Sequence, residues 1–236
     1  MTFTFKQFSV EQDKSAMKIG TDGVLLGAWA PINEQTYSIL DVGSGTGIIA
    51  LMLAQRSDAD QIDAIEIDEN AYEQTVENFE NSPWSDRLFC YHAGLDEFME
   101  EPEDEYDLIV SNPPFYTENY LSGDQQRDQA RFTESLPFED LVEAADLLLS
   151  ENGVFAIIIP YKEEAKLIAL AKDFDLFPMK ITRVKGTPTT EIKRTLLAFS
   201  RNTTENFPVD ELIIEIGRHE YTPEYINLTK DFYLKM

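Results

Sequence analysis

From about residue 38 the chain alternates short apolar runs with longer stretches whose apolar positions recur at helical spacing. "YSILDV" gives way to "GIIALMLAQR", "QIDAIEID" to "ENAYEQTVENFENS", and "RLFCYH" to "GLDEFMEE" before "YDLIVS". Then follow a helical "FEDLVEAADLLLSENG", a strand-like "VFAIIIP", a helical "YKEEAKLIALAKDF", and the strands "LFPMKITRVK" and "RTLLAFSR". A run such as "VFAIIIP" is apolar at successive positions, as expected of a strand covered by helices on both faces. Alternating βα units with right-handed crossovers predict an α/β fold with an open, doubly wound, mostly parallel sheet. No helical pattern separates the last two runs, so a hairpin and an antiparallel edge strand are expected there. Residues 1–35 form an N-terminal segment, 36–201 the core and 202–236 an extension with a short "LIIEI" and a helical "PEYINLTKDFYLKM".

A length of 236 residues suits a single α/β domain with extensions. No apolar run approaches eighteen residues and no cleavable leader is visible, so the reading is a cytoplasmic protein without a membrane span. The one cysteine, Cys90, has no internal disulfide partner and reads as a small buried apolar residue. Asn202 and Asn227 begin glycosylation-like triplets that matter only in a secreted protein. Net charge is −25, which repels phosphate backbones. That charge is uneven: residues 58–107 hold eighteen acids against one base, Arg87, whereas residues 180–201 hold six bases against one acid, Glu191.

The turn "ILDVGSGTGIIAL" sets Asp41, Gly43, Ser44, Gly45 and Gly47 between a strand and a helix. Glycines there admit a ligand to the backbone, and amides open at the helix start. Position 48 is Ile rather than the last glycine of a dinucleotide fingerprint, and a strand-end carboxylate opposes a pyrophosphate but suits a cation. S-adenosyl-L-methionine, with an ammonium and a sulfonium, fits. Glu66 ends the next strand, where an acid accepts both ribose hydroxyls, and Asp68 is placed to cap the following helix.

Asp41–Gly47 with Glu66 resembles the class I methyltransferases, which implies their Rossmann-like seven-stranded sheet and S-adenosylmethionine as cofactor. By that resemblance Ile67 lies beside the ligand. The family's usual acid after the third strand is replaced by Gly94, leaving the adenine contact to the backbone around Leu95 or to Asp96.

After "YDLIVS" comes Asn112-Pro113-Pro114-Phe115. An exocyclic amine is a poor nucleophile because its lone pair is delocalised into the ring. The Asn112 side-chain oxygen and the Pro113 carbonyl each take one N–H and aim that lone pair at the methyl; no strong base is needed. The prolines stiffen the loop and Phe115 stacks on a flipped base. The motif resembles the [N/D]-P-P-[Y/F] signature of methyltransferases that act on adenine N6, guanine N2 or a glutamine amide. "MKIGTDGVLLGAWA" (17–30), "SNPPF" and "RDQARF" resemble segments of the bacterial tRNA(Val) adenine-N6 methyltransferases, from about Phe8 to Ser200. That resemblance implies tRNA as substrate and a first segment folded over the cofactor, with Lys18, Thr21 and Asp22 near it.

Residues 116–136 form a long polar loop of the kind that faces substrates, and Arg127 and Arg131 share one face if it is helical. They contact RNA or pair with Asp124 and Asp128. Lys180, Arg183, Lys185, Lys193 and Arg194 make a candidate tRNA patch, though basic residues on edge strands also block aggregation. His92 and His219 read as structural; no metal site is expected, and a monomer is. Protein-glutamine and rRNA-guanine methyltransferases remain as alternatives. A non-catalytic cofactor-binding scaffold is opposed by the intact Asn112, and a nicotinamide oxidoreductase by the glycine spacing.

Overall fold

The computed structural model describes residues 2–100, 105–114, 136–203 and 206–236. The core alternates β3 (Ser38–Val42), α2 (Ile48–Arg56), β4 (Gln61–Glu66), α3 (Glu69–Glu80), β5 (Leu88–His92), α4 (Leu95–Glu100) and β6 (Tyr106–Ser111). It continues with α5 (Phe138–Leu148), β7 (Leu149–Pro160), α6 (Glu164–Asp173), β8 (Phe177–Lys185) and β9 (Ile192–Ser200). Ahead of it stand β1 (Thr2–Thr4), β2 (Ser9–Glu11) and α1 (Thr21–Trp29); after it come β10 (Val209–Ile213), β11 (Glu215–Gly217), β12 (Glu220–Tyr221) and α7 (Pro223–Thr229).

One sheet of eight strands runs β10-β8-β9-β7-β6-β3-β4-β5. The expected fold is present, with one strand more than seven because residues 209–213 of the extension pair in parallel with β8. The hairpin between β8 and β9 also forms, but its antiparallel strand is not at the edge. Helix α6 carries the chain past a vacant place before β8, and the hairpin returns β9 into that gap, antiparallel to both β7 and β8. A second difference lies in "LLSENG", read as the end of a helix. Strand β7 already begins at Leu149 opposite Tyr106, and a bulge separates that pair from Leu108–Val154. Gly153 sits in the bulge, where a Cβ would lie 2.8 Å from the Tyr106 carbonyl oxygen, so only glycine lets the strands close.

Two apolar layers sandwich the sheet, one against α1, α2 and α3, the other against α5 and α6. Helix α1 is buried from Gly23 to Trp29, as a helix apolar all round must be. Val24, Leu25, Leu26 and Trp29 each contribute roughly 1.5–3 kcal/mol of burial, and Phe5, Phe8 and Val10 join the same layer. The N-terminal segment therefore contributes to the core. Among the described residues, no helix is long and apolar enough to cross a membrane.

Candidate functional site

Strand β3 lies between β4 and β6, and all three end at the same side of the sheet. Val42 is paired with Ser111, whose Oγ donates to the Val42 carbonyl at 2.9 Å. The next residues outward are Gly43 on one strand and Asn112 on the other, so the glycine turn and the Asn-Pro-Pro turn leave the sheet side by side.

Gly43, Gly45 and Gly47 all have positive φ, at 75°, 62° and 74°. A Cβ on Gly45 would meet nothing within 4 Å, leaving that turn open to a ligand. Gly47, in contrast, packs so closely that a Cβ would lie 2.6 Å from Phe79 Cε1. Being glycine, Gly47 cannot cap α2 with a side chain, and Asp41 does so from the strand: its Oδ2 accepts from the Ala50 amide at 3.1 Å. Asp41 is fully buried and its Oδ1 has no hydrogen-bond partner. Burial, with the neighbouring Glu66 charge adding to it, pushes the Asp41 carboxyl up to about 7.

Glu66 lies across the turn. Its Oε2 accepts from the Gly45 amide at 2.8 Å and its Oε1 from the Asp68 amide at 3.0 Å. Each oxygen keeps lone pairs for a hydroxyl. Asp68 caps α3 through the Ala71 amide at 2.8 Å. Ile67 is half exposed, Leu95 is buried at the start of α4, and Gly94 stands close to both Ile67 and Asp96. An open turn, an orphaned buried carboxylate oxygen and a strand-end glutamate form a donor and acceptor set that fits S-adenosylmethionine.

Asn112 is half-buried beside buried Pro113 and partly exposed Pro114. A Cβ on Gly23 would lie 3.9 Å from Asn112 Nδ2, so the start of α1 lies near that side chain. Thr21 is exposed at the same helix start, while Lys18 is held by the carbonyls of Gln12 and Ser15. Asp22 pairs with Arg194 of β9 at 2.8 Å. Phe115, Arg127 and Arg131 lie outside the described residues.

The basic segment is largely engaged within the protein. Arg183 grips Glu164 through Nε and Nη2, Lys185 pairs with Glu211 at 2.9 Å, and Lys180 lies 4.3 Å over the Trp29 ring. Lys193 is exposed. Sequence reasoning missed the brace beneath the glycine turn. Thr75 Oγ1 donates to the Gly45 carbonyl at 3.1 Å and Asn78 Nδ2 to the Thr46 carbonyl at 2.9 Å. The signal was there: Gln74, Thr75 and Asn78 are polar, yet they share the inward face of α3 with Ala71 and Phe79. No group of three or more His, Cys, Asp or Glu is placed to hold a metal among the described residues.

The family model for the methyltransferase small domain matches residues 20–179. A protein of Flavobacterium johnsoniae described as tRNA1(Val) (adenine(37)-N6)-methyltransferase is 74% identical, covering 99% of this chain and 100% of the relative. The chain belongs to that methyltransferase family. A Pectobacterium carotovorum member of the family is 43% identical over 99% of this chain and 94% of its own. The fold matches a crystal structure of a predicted O-methyltransferase from Agrobacterium tumefaciens, with a TM-score of 0.70 at 20% identity over 89% of this chain and 96% of that one.

Proposed function

We propose that the protein methylates N6 of an adenine in tRNA, adenine 37 of tRNA1(Val), using S-adenosylmethionine. The observation that carries this reading is the pairing of Val42 with Ser111, which sets the cofactor turn and the Asn-Pro-Pro turn next to each other. Asp41, Gly43, Ser44, Gly45, Gly47 and Glu66 would hold the cofactor, which when bound supplies an electrophilic methyl on sulfur. The Asn112 side-chain oxygen and the Pro113 carbonyl accept the two N–H groups of the adenine amine. These acceptors strengthen as the nitrogen turns cationic, and the fixed proline loop holds them without reorganisation. The methylated ammonium then loses a proton to solvent.

The test supplies radiolabelled S-adenosylmethionine and total tRNA from a strain lacking the enzyme, followed by nucleoside analysis. Label is expected in N6-methyladenosine of one tRNA. Asn112→Ala should lower kcat by about 100- to 1000-fold while cofactor affinity holds. Full activity in that variant would remove Asn112 from the mechanism.

A further inference from the structure

Strand β6 ends at Ser111 opposite Ile157, and the neighbouring β7 runs three residues farther on the same side of the sheet, to Pro160, so the Asn-Pro-Pro turn leaves beside the last residues of β7. Immediately after Pro160 the chain makes a short 3-10 turn from Tyr161 to Glu163, and Tyr161 is 37% exposed there. An exposed tyrosine at this edge offers an aromatic face with a polar tip. Its ring is not loose. Arg183 Cζ lies 5.4 Å from the ring centroid. That guanidinium is locked in turn, with Nε 3.1 Å from Glu164 Oε2 and Nη2 2.7 Å from Oε1 of a carboxylate that is only 7% exposed. Since Glu164 already neutralises it, Arg183 is poorly suited to a phosphate, but it sits within cation–π distance of the ring. Across the strand pairing, Pro160 faces Arg194, so the next residues outward are Tyr161 and the exposed Lys193.

We infer that Tyr161 is a stacking site for a nucleobase of the tRNA next to the target adenine, with Lys193 beside it for the adjoining phosphate. A rigid aromatic face with a cation at its edge suits single-stranded RNA, whose bases splay outward and stack on aromatic side chains. The inference rests on tRNA being the substrate. It gives the site a second base contact, on a different strand from the Asn-Pro-Pro turn.

The experiment uses the full chain and an anticodon-arm RNA carrying 2-aminopurine on one or the other side of the target adenine. Binding should quench the fluorescence of one flank in the wild type, and Tyr161→Ala should lose that quench. Tyr161→Ala should also raise KM for tRNA about tenfold with unchanged cofactor affinity, while Tyr161→Phe keeps both quench and KM. A quench of either flank that survives in Tyr161→Ala, or no quench of either in the wild type, overturns the stacking site whatever KM does. If the wild type moves no methyl to tRNA, the proposed function fails on that ground, and the quench still judges the platform separately.

Discussion

Asp41 shows how a single buried group couples pH to stability and, through the proposed cofactor site, to the ligand. Its carboxyl sits at about 7 in the folded chain, against an ordinary value of about 4. The folded state thus keeps a proton that the unfolded state has released, and stability is lost as pH rises from about 4 through 7. If Asp41 holds the cofactor ammonium as proposed, its ionised form is the one that attracts it, and cofactor affinity should rise through the same window. Melting of the unliganded chain should therefore fall from pH 5 to pH 8, and Asp41→Asn should flatten that slope. Gly45 and Gly47 make a contrasting pair at the same scale. Both have positive φ, so alanine at either costs roughly 1–2 kcal/mol of backbone strain. Only at Gly47 does the new methyl also collide with Phe79, adding about 1–3 kcal/mol of overpacking. Denaturant titration should rank Gly47→Ala well below Gly45→Ala in stability, whereas calorimetry should find that Gly45→Ala, whose methyl enters the open turn, loses cofactor affinity.

Among elements, α1 and β9 are joined by the Asp22–Arg194 pair, 172 positions apart in sequence and half-buried at 28% and 33% side-chain exposure. The pair holds the start of α1, where Gly23 lies near Asn112. Each single alanine variant should lower kcat several-fold, with coupling near 1 kcal/mol, and the exchange D22R/R194D should recover most of it. Were Arg194 instead a phosphate contact, the exchange would leave tRNA affinity impaired. This link could not be read from the sequence, where Asp22 looks like a cofactor ligand and Arg194 like part of a basic patch. What was legible was local: the glycine turn, the Asp68 cap and the turn after β6 each depend on neighbours within a few residues. The place of β9 and the added β10 depend on which strands lie adjacent, and that is set by crossovers and hairpin return, which spacing along the chain does not encode.

At the scale of the whole molecule, a net charge of −25 leaves little general attraction for RNA. The basic segment contributes less than its number of cations, since Arg183, Lys185 and Arg194 each face a carboxylate. Salt titration of tRNA binding separates the two kinds of lysine. Lys193→Gln should reduce the salt slope by about one, the loss of one phosphate contact, and Lys185→Gln, which frees Glu211, should change it less.

Asn78 ties three stretches of chain with one amide group: its Oδ1 accepts from the Glu11 amide, and its Nδ2 donates to the Glu11 and Thr46 carbonyls. Aspartate would keep the acceptor and lose the donor; leucine would lose both and strand three backbone groups. A change at this position therefore reaches the N-terminal strand, the glycine turn and the helix at once, so no single-segment repair can offset it.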